Sequence, residues 1–161
     1  FETYDEIIPT NARMVIFCSP HNPGGRVWSQ TELKQLADFV NRHNLILVSD
    51  EIHHDLTFGA KHTPMVHING IKDRLIMMTA TTKTFNIAGG HVGNVIIENP
   101  ELQKLFQKRI TALGLSPNAF GLHMATAAYS KDGAIRLDAL IKYLDKNRRF
   151  FDAGINAIPG L

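Results

Sequence analysis

Lys83 is the residue whose type and surroundings most directly suggest chemistry. It follows an apolar run at residues 74–80 and comes directly after two hydroxyl residues, Thr81 and Thr82. A lysine amine that has lost its hydration is a nucleophile at neutral pH and can form a Schiff base with an aldehyde cofactor. Most lysines are instead hydrated at the protein surface, so an ordinary loop lysine stays open as the alternative.

Asp50 and His53 follow a second apolar run, residues 45–49. A carboxylate at the end of a central strand is expected to be partly buried, and a buried charge is costly unless it meets a partner such as a protonated pyridine nitrogen. An Asx turn or a helix cap would satisfy the same carboxylate without any ligand. The adjacent His53 and His54 do not have the spacing of a zinc motif, and we expect no metal.

The stretch "FCSPHNPGGRVW" at positions 17–28 ends another apolar run and carries two prolines and two glycines within six residues. Proline fixes φ, and glycine allows the backbone to pass close to a neighbouring group. The turn is therefore expected to be stiff. Asn22 lies between the two prolines, where such a turn would hold its side chain in one orientation at a strand end.

These residues belong to a chain whose hydrophobic pattern alternates between strand and helix. Strands are expected at residues 13–18, 45–49, 74–80 and 92–98, and helices from Ser29 to about His43 and at 100–112, 118–131 and 133–150. This alternation predicts one α/β domain over residues 1–161, with a mainly parallel sheet flanked by helices. Ligands of such folds bind at the carboxyl ends of the strands, where Asn22, Asp50 and Lys83 stand.

Two of these helices begin with cap signals. Ser29 and Glu32 have the spacing of a capping box, and Asn99 precedes a proline at the first helical position. In the later helices, apolar residues at helical spacing are expected in the core, among them Phe120, Met124 and Ile135. Polar positions at the surface or the core edge are expected for His21, His62, His67 and His123.

The composition argues against several classes of protein. The 161 residues are 44% hydrophobic and 20% charged, with a net charge of +2, which is ordinary for a globular domain. The chain has no basic stretch interleaved with aromatic residues, which would indicate nucleic-acid binding, and no apolar run long enough to span a membrane.

Cys18 is the one cysteine, so we expect no internal disulfide and a cytoplasmic protein. The glycines of residues 88–94 lead into a strand, which argues against a dinucleotide-binding loop.

Taken together, the strand-end clusters resemble those of fold-type I pyridoxal-phosphate enzymes of the class I/II aminotransferase family. From Asn22 to Asp50 there are 28 positions, and from Asp50 to Lys83 there are 33. The matching elements are Asn22-Pro23-x-Gly25, Asp50-x-x-His53 and Lys83. The stretches "SPHNPGGRVW", "SDEIHHDL" and "KTFNIAG" are similar to the subgroup of cystathionine β-lyases and related C–S lyases. The resemblance covers nearly the whole chain and implies a large domain that binds pyridoxal 5′-phosphate.

The resemblance implies a role for each matching residue. Lys83 would bind the cofactor covalently and later move protons as general acid and base. Asp50 would pair with the protonated pyridine nitrogen of the cofactor, which keeps the ring an electron acceptor. Asn22 would hydrogen-bond the cofactor's phenolic oxygen near the substrate carboxylate. His53 would face the same oxygen, at a position where aminotransferases more often have tyrosine.

The expected phosphate site departs from the family pattern. Thr81 and Thr82 would donate their hydroxyls to the phosphate. His91 stands eight positions after Lys83, where an arginine is usual, and Ala80 stands three positions before it, where a serine is common. A histidine cannot bind phosphate bidentately as arginine does, so segments outside this chain are expected to contribute.

The function that the resemblance implies is a C–S β-lyase acting on cystathionine or cysteine S-conjugates, usually as a homodimer. An aminotransferase shares these residues, and a non-catalytic ligand-sensing or interaction module is a further alternative. The family's chain is more than twice this length. The turn that cradles the phosphate and the aromatic residue that stacks on the ring are therefore expected before Phe1. The small domain, with its carboxylate-binding arginine, is expected after Leu161, and the piece alone is expected to be inactive.

Overall fold

The computed structural model describes residues 2–160, and a four-stranded sheet lies at its centre. In spatial as well as chain order, its strands are β1 (Met14–Cys18), β2 (Ile46–Asp50), β3 (Leu75–Thr79) and β4 (Asn94–Ile96). β1, β2 and β3 run parallel, whereas β4 pairs antiparallel with β3. The predicted α/β fold with a mainly parallel sheet is confirmed.

Six α-helices flank the strands in the described part of the chain. They are α1 (Glu2–Ile7), α2 (Gln30–Arg42), α3 (Thr81–Thr84), α4 (Pro100–Ala112), α5 (Ala119–Ala128) and α6 (Lys131–Asn156), with 3₁₀ turns at Met65–His67, Lys72–Arg74 and Ala88–Gly90. α4 has the predicted bounds, but α5 ends earlier, α6 ends later and β4 is shorter than predicted, because hydrophobic periodicity marks element ends poorly. The pattern did not predict α1 or α3. None of the helices within residues 2–160 combines the length and apolarity needed to cross a membrane.

The predicted cap signals form the expected hydrogen bonds. Ser29 Oγ accepts the Glu32 N–H at 3.3 Å, and the Glu32 carboxylate accepts the Ser29 N–H at 2.9 Å. Asn99 Oδ1 accepts two backbone N–H groups in the first turn of α4. At the end of α2, His43 Nε2 lies 2.6 Å from Asp5 Oδ1 of α1. The contacts of Ser29, Glu32 and Asn99 satisfy backbone groups that helix starts leave unpaired and fix where α2 and α4 begin.

The core lies between the sheet, α2 and the segment that follows β2. α2 contributes Leu33, Leu36, Ala37, Phe39 and Val40, the strand segments contribute Leu45, Leu47, Leu75 and Met77, and the segment after β2 contributes Met65, Ile68 and Ile71. Burial of one large apolar side chain stabilises a fold by roughly 1.5–3 kcal/mol. This cluster therefore holds β2 and β3, and with them the positions of their carboxyl ends.

The later helices bury different residues from those expected. Phe120, Met124 and Ile135, expected in the core, are 78%, 41% and 69% exposed. α5 instead approaches its neighbours through its small residues: a Cβ on Gly121 would come within 2.5 Å of the Gly90 carbonyl oxygen. Met124 also lies at this contact, since its Sδ would be 3.2 Å from a Cβ on Gly90, whereas Phe120 stays exposed.

Candidate active site

The carboxyl ends of the three parallel strands lie side by side. In the register of the sheet, Cys18 is opposite Asp50, and Asp50 is opposite Met78. The ladder continues past the strands, because the Ser19 N–H donates to the Asp50 carbonyl at 3.0 Å and the Glu51 N–H donates to the Met78 carbonyl at 2.9 Å. The segments that carry the predicted site residues therefore leave the sheet from one edge.

The turn after β1 is closed by hydrogen bonds of His21. Its N–H donates to the Arg26 carbonyl, its carbonyl accepts the Gly25 N–H, both at 2.7 Å, and its Nδ1 accepts the Gly24 N–H at 3.2 Å. Gly25 has φ of 62°, a left-handed conformation that favours glycine. Asn22 is exposed at the tip of this turn. The turn is thus closed by hydrogen bonds with Asn22 at its tip, and the stiffness expected from its prolines stays a prediction.

A second set of contacts ties this turn to α2. The Arg26 guanidinium lies 4.1 Å from the centre of the Trp28 ring and also pairs with the Glu32 carboxylate. The backbone N–H of Ser29, then its hydroxyl, holds the pKa of Glu32 below its usual range, and Arg26 adds to this effect. The capping box of α2 thus also anchors the turn that presents Asn22.

Asp50 lies at the end of the central strand β2 and is half-buried. Its Oδ1 accepts the Ile52 N–H at 3.1 Å, so the Asx turn considered from the sequence is present. The turn uses one of the two carboxylate oxygens. The other oxygen can accept a hydrogen bond from a ligand. Asp50 can therefore form the Asx turn and bind the cofactor's ring nitrogen at the same time, as predicted.

Two of the predicted site residues carry buried polar atoms that have no hydrogen-bond partner in residues 2–160. These atoms are His53 Nε2 and Thr81 Oγ1. An unpaired buried polar atom costs about 1–3 kcal/mol, and such atoms commonly mark a place where a ligand or water completes the bond. The resemblance assigns these residues to the phenolic oxygen and the phosphate of the cofactor. The residues present therefore fit pyridoxal phosphate, and their individual roles stay predictions.

Lys83 lies on the short helix α3, directly after β3. Its side chain is exposed, whereas Thr81 is buried and Thr82 is half-buried. The expected loss of hydration around Lys83 is therefore not provided by these residues alone. His91 is also exposed, at the end of the Ala88–Gly90 turn, with φ of 44°. Phosphate binding by Thr82 and His91, and covalent binding by Lys83, stay predictions.

Sequence reasoning missed Glu51, the most deeply buried charged residue of this region. It is 1% exposed and accepts hydrogen bonds from Ser49 Oγ at 2.8 Å and from the Met65 N–H at 2.9 Å. His62 Nε2 donates to its other oxygen at 2.7 Å. His62, expected at the surface or the core edge, is half-buried, and its side chain is 7% exposed and pairs with Glu51. The alternation of β2 could have indicated that Glu51 points inward two positions after Ser49.

A cavity of about 490 Å³ opens beside the predicted site. Asn22 and His53 line one part of it, and Phe58 and Arg148 line another. The Arg148 guanidinium lies 6.0 Å from the centre of the Phe58 ring. The cavity places open volume next to two of the residues that the resemblance assigns to the cofactor.

Comparison with known proteins shows matches over the whole chain. The family model described as aminotransferase class I and II matches residues 1–161. Cystathionine beta-lyase PatB of Bacillus subtilis (strain 168) is 41% identical over 137 residues, which are 83% of this chain and 35% of PatB. Protein MalY of Escherichia coli (strain K12) is 34% identical over 148 residues, covering 90% of this chain and 37% of MalY. The chain thus spans little more than a third of the length of these curated relatives.

Solved structures that contain pyridoxal phosphate (PLP) also match most of this chain. A PLP-bound C–S lyase from Staphylococcus hominis has a TM-score of 0.86 and 33% identity, covering 96% of this chain and 38% of that one. Cystalysin from Treponema denticola, which contains pyridoxal 5′-phosphate, has a TM-score of 0.84 and 40% identity, covering 90% and 37%. A PLP-bound putative aminotransferase from Clostridium difficile 630 has a TM-score of 0.92 and 36% identity, covering 96% and 40%.

Proposed function

This chain belongs to the aminotransferase class I and II family, and on that premise we propose that its protein is a pyridoxal-phosphate-dependent C–S β-lyase. The proposed substrates are cystathionine or cysteine S-conjugates, and the products are a thiol, pyruvate and ammonia. The observation that carries the proposal is that the segments with Asn22, Asp50 and Lys83 leave adjacent parallel strands at their carboxyl ends, where His53 and Thr81 have buried unpaired atoms. The identity to a cystathionine β-lyase supports the lyase reaction in particular.

In the proposed site, residues at the three strand ends bind different parts of the cofactor. Pyridoxal phosphate, when bound, supplies an aldehyde that binds amines and a protonated ring that accepts electrons. Asp50 accepts the hydrogen of the ring nitrogen and keeps that nitrogen protonated. Asn22 and His53 Nε2 donate hydrogen bonds toward the phenolic oxygen. The hydroxyls of Thr81 and Thr82 donate to the phosphate, with His91 as a further donor.

Lys83 is the proposed catalytic residue. Its amine would hold the cofactor at rest and, with substrate bound, would remove the proton from the substrate's Cα. The C–S bond then breaks, the electron pair leaves with the sulfur as a thiolate, and a proton completes the thiol. One water is consumed, since the remaining three-carbon unit is hydrolysed to pyruvate and ammonium. Asn22, near the substrate carboxylate, would orient Cα toward Lys83.

An aminotransferase is the second candidate, and a specific observation favours it. The solved structure from Clostridium difficile 630 named as a putative aminotransferase has 36% identity and a TM-score of 0.92. The first half of both reactions uses Lys83 and Asp50 in the same way. The two functions differ in whether a 2-oxo acid is required to complete the reaction.

The experiment compares full-length protein incubated with cystathionine in the presence and absence of a 2-oxo acid, with the Lys83→Ala variant as control. We expect release of thiol and pyruvate without the 2-oxo acid, and no release from the variant. Turnover that requires the 2-oxo acid would show an aminotransferase instead. Cofactor binding without turnover of either kind would contradict both and favour a non-catalytic module.

A further inference from the structure

The helix that carries Lys83 is short and has no side-chain cap to stabilise it. α3 has four residues, and its N-cap, Ala80, makes no side-chain hydrogen bond. One helical turn is not stable by itself, because nucleation fixes several residues for a single hydrogen bond. The position of Lys83 therefore depends on contacts between α3 and the rest of the molecule.

Thr84, the residue after Lys83, makes the one side-chain hydrogen bond that we find for α3 in the described part of the chain. Its hydroxyl donates to Asp55 Oδ2 at 3.0 Å, across 29 positions of sequence. Thr84 is 2% exposed, and the Asp55 side chain is 19% exposed. A charge-assisted bond at this depth is among the stronger hydrogen bonds of proteins.

Asp55 also contacts the segment that follows β2. Its other oxygen, Oδ1, lies 3.2 Å from His54 Nε2. The opposite ring nitrogen, His54 Nδ1, donates to the Glu51 carbonyl at 2.8 Å. A continuous set of contacts thus connects Glu51, which follows Asp50 directly, with Thr84, which follows Lys83 directly.

We infer that Asp55 and Thr84 are positioning residues that fix Lys83 relative to Asp50 and His53. This inference rests on the proposed function, because only a catalytic Lys83 has to be held in one position. Asp55 is two positions from His53 and bonds to the neighbour of Lys83, so a single carboxylate links the two segments. Neither Asp55 nor Thr84 needs to touch substrate. Proton transfer at Cα is sensitive to displacement of the base by an ångström, so loss of this link lowers turnover more than substrate binding.

The test uses full-length holoenzyme and cystathionine with the variants Thr84→Val, Thr84→Ser and Asp55→Asn. Thr84→Val removes the hydroxyl at nearly constant volume, and we expect kcat to fall about tenfold with KM within about twofold. We also expect a weaker near-visible absorbance of the lysine-bound cofactor at saturating pyridoxal phosphate. Thr84→Ser keeps the hydroxyl and should have the kcat and absorbance of the wild type. Asp55→Asn keeps the shape with a weaker acceptor, and its kcat and absorbance should lie between those of Thr84→Val and the wild type.

Ser130→Ala is the control for general destabilisation. Ser130 is the N-cap of α6, where its Oγ accepts the Gly133 N–H at 3.1 Å, so its loss lowers Tm without touching the link. We expect Ser130→Ala to leave kcat and absorbance unchanged. The inference is overturned if Thr84→Val lowers Tm alone, or if Thr84→Ser behaves like Thr84→Val.

The experiment also distinguishes failure of the inference from failure of folding and from failure of the proposed function. If Thr84→Val does not fold, Asp55→Asn tests the same link without a change in shape, and a wild-type kcat and absorbance in that variant overturn the inference. If the wild-type protein has neither turnover nor absorbance, the proposed function fails, and the inference fails with it. An active wild type with equally active variants refutes the inference alone.

Discussion

The carboxylate of Asp50 has two oxygens, and the chain itself uses one of them, in the Asx turn with the Ile52 N–H. The turn fixes the direction of the side chain, and the second oxygen is left for a ligand. His53 Nε2 and Thr81 Oγ1 are buried without partners. At the scale of single residues, the predicted site is thus a set of oriented donors and acceptors with capacity left to bind a polar ligand.

The variant Asp50→Asn tests this interpretation in the full-length protein. An asparagine keeps the Asx turn, because its side-chain oxygen can accept the same N–H, but it carries no charge to keep a pyridine nitrogen protonated. A charge-assisted hydrogen bond contributes about 1.5–3 kcal/mol, so we expect kcat for cystathionine to fall roughly 10- to 100-fold at unchanged Tm.

Asp73→Asn provides the control for that experiment, since Asp73 is exposed in the 3₁₀ turn before β3. It should retain wild-type kcat. Wild-type kcat in Asp50→Asn as well would contradict the role proposed for Asp50.

Hydrophobic pattern was enough to place Asn22, Asp50, His53 and Lys83 after predicted strands. Their roles came from the family resemblance and stay predictions. Burial was harder to predict. Lys83 is exposed, whereas the adjacent Thr84 and the distant Glu51 are buried. Such differences depend on which side chains of other segments approach, and a single sequence does not contain those distances.

At the scale of elements, the strands and capped helices were predictable because their signals are local. The capping box of α2 and the Asn99 cap of α4 are both formed. The helices α1 and α3 were not predicted, since helices of six and four residues show no helical period. The direction of β4 was also not predictable, because strand order and pairing depend on the path of the chain between strands.

The capping box also predicts a pH dependence of stability. Ser29 and Arg26 hold the pKa of Glu32 below its ordinary value of 4.5, so the ionised carboxylate is favoured in the folded state. Its stabilisation is fully present above pH 4.5 and is lost as the pH falls through the lowered pKa of the folded state. We expect urea midpoints of wild type and Glu32→Gln to differ near neutral pH and to converge at acid pH. A difference that stays constant down to low pH would contradict this account.

At the scale of the whole molecule, the chain corresponds to 35% and 37% of the two curated relatives compared above. Large apolar side chains are exposed on it, among them Ile16 at 76% and Phe150 at 83%. A second, smaller domain with the carboxylate-binding arginine, and a homodimer with shared active sites, stay predictions from the resemblance. The site described above supplies one part of the proposed cofactor contacts, and catalysis is proposed only for the full-length protein.

The most direct test of the central claim is to find where the cofactor binds. Full-length protein saturated with pyridoxal phosphate is reduced with borohydride, digested and examined by mass spectrometry, with Lys83→Ala treated in parallel. We predict one phosphopyridoxyl group on the peptide that contains Lys83, and none on that peptide in the variant. Labelling of another lysine, or no stable labelling at saturation, would contradict the assignment of Lys83 and with it the proposed site.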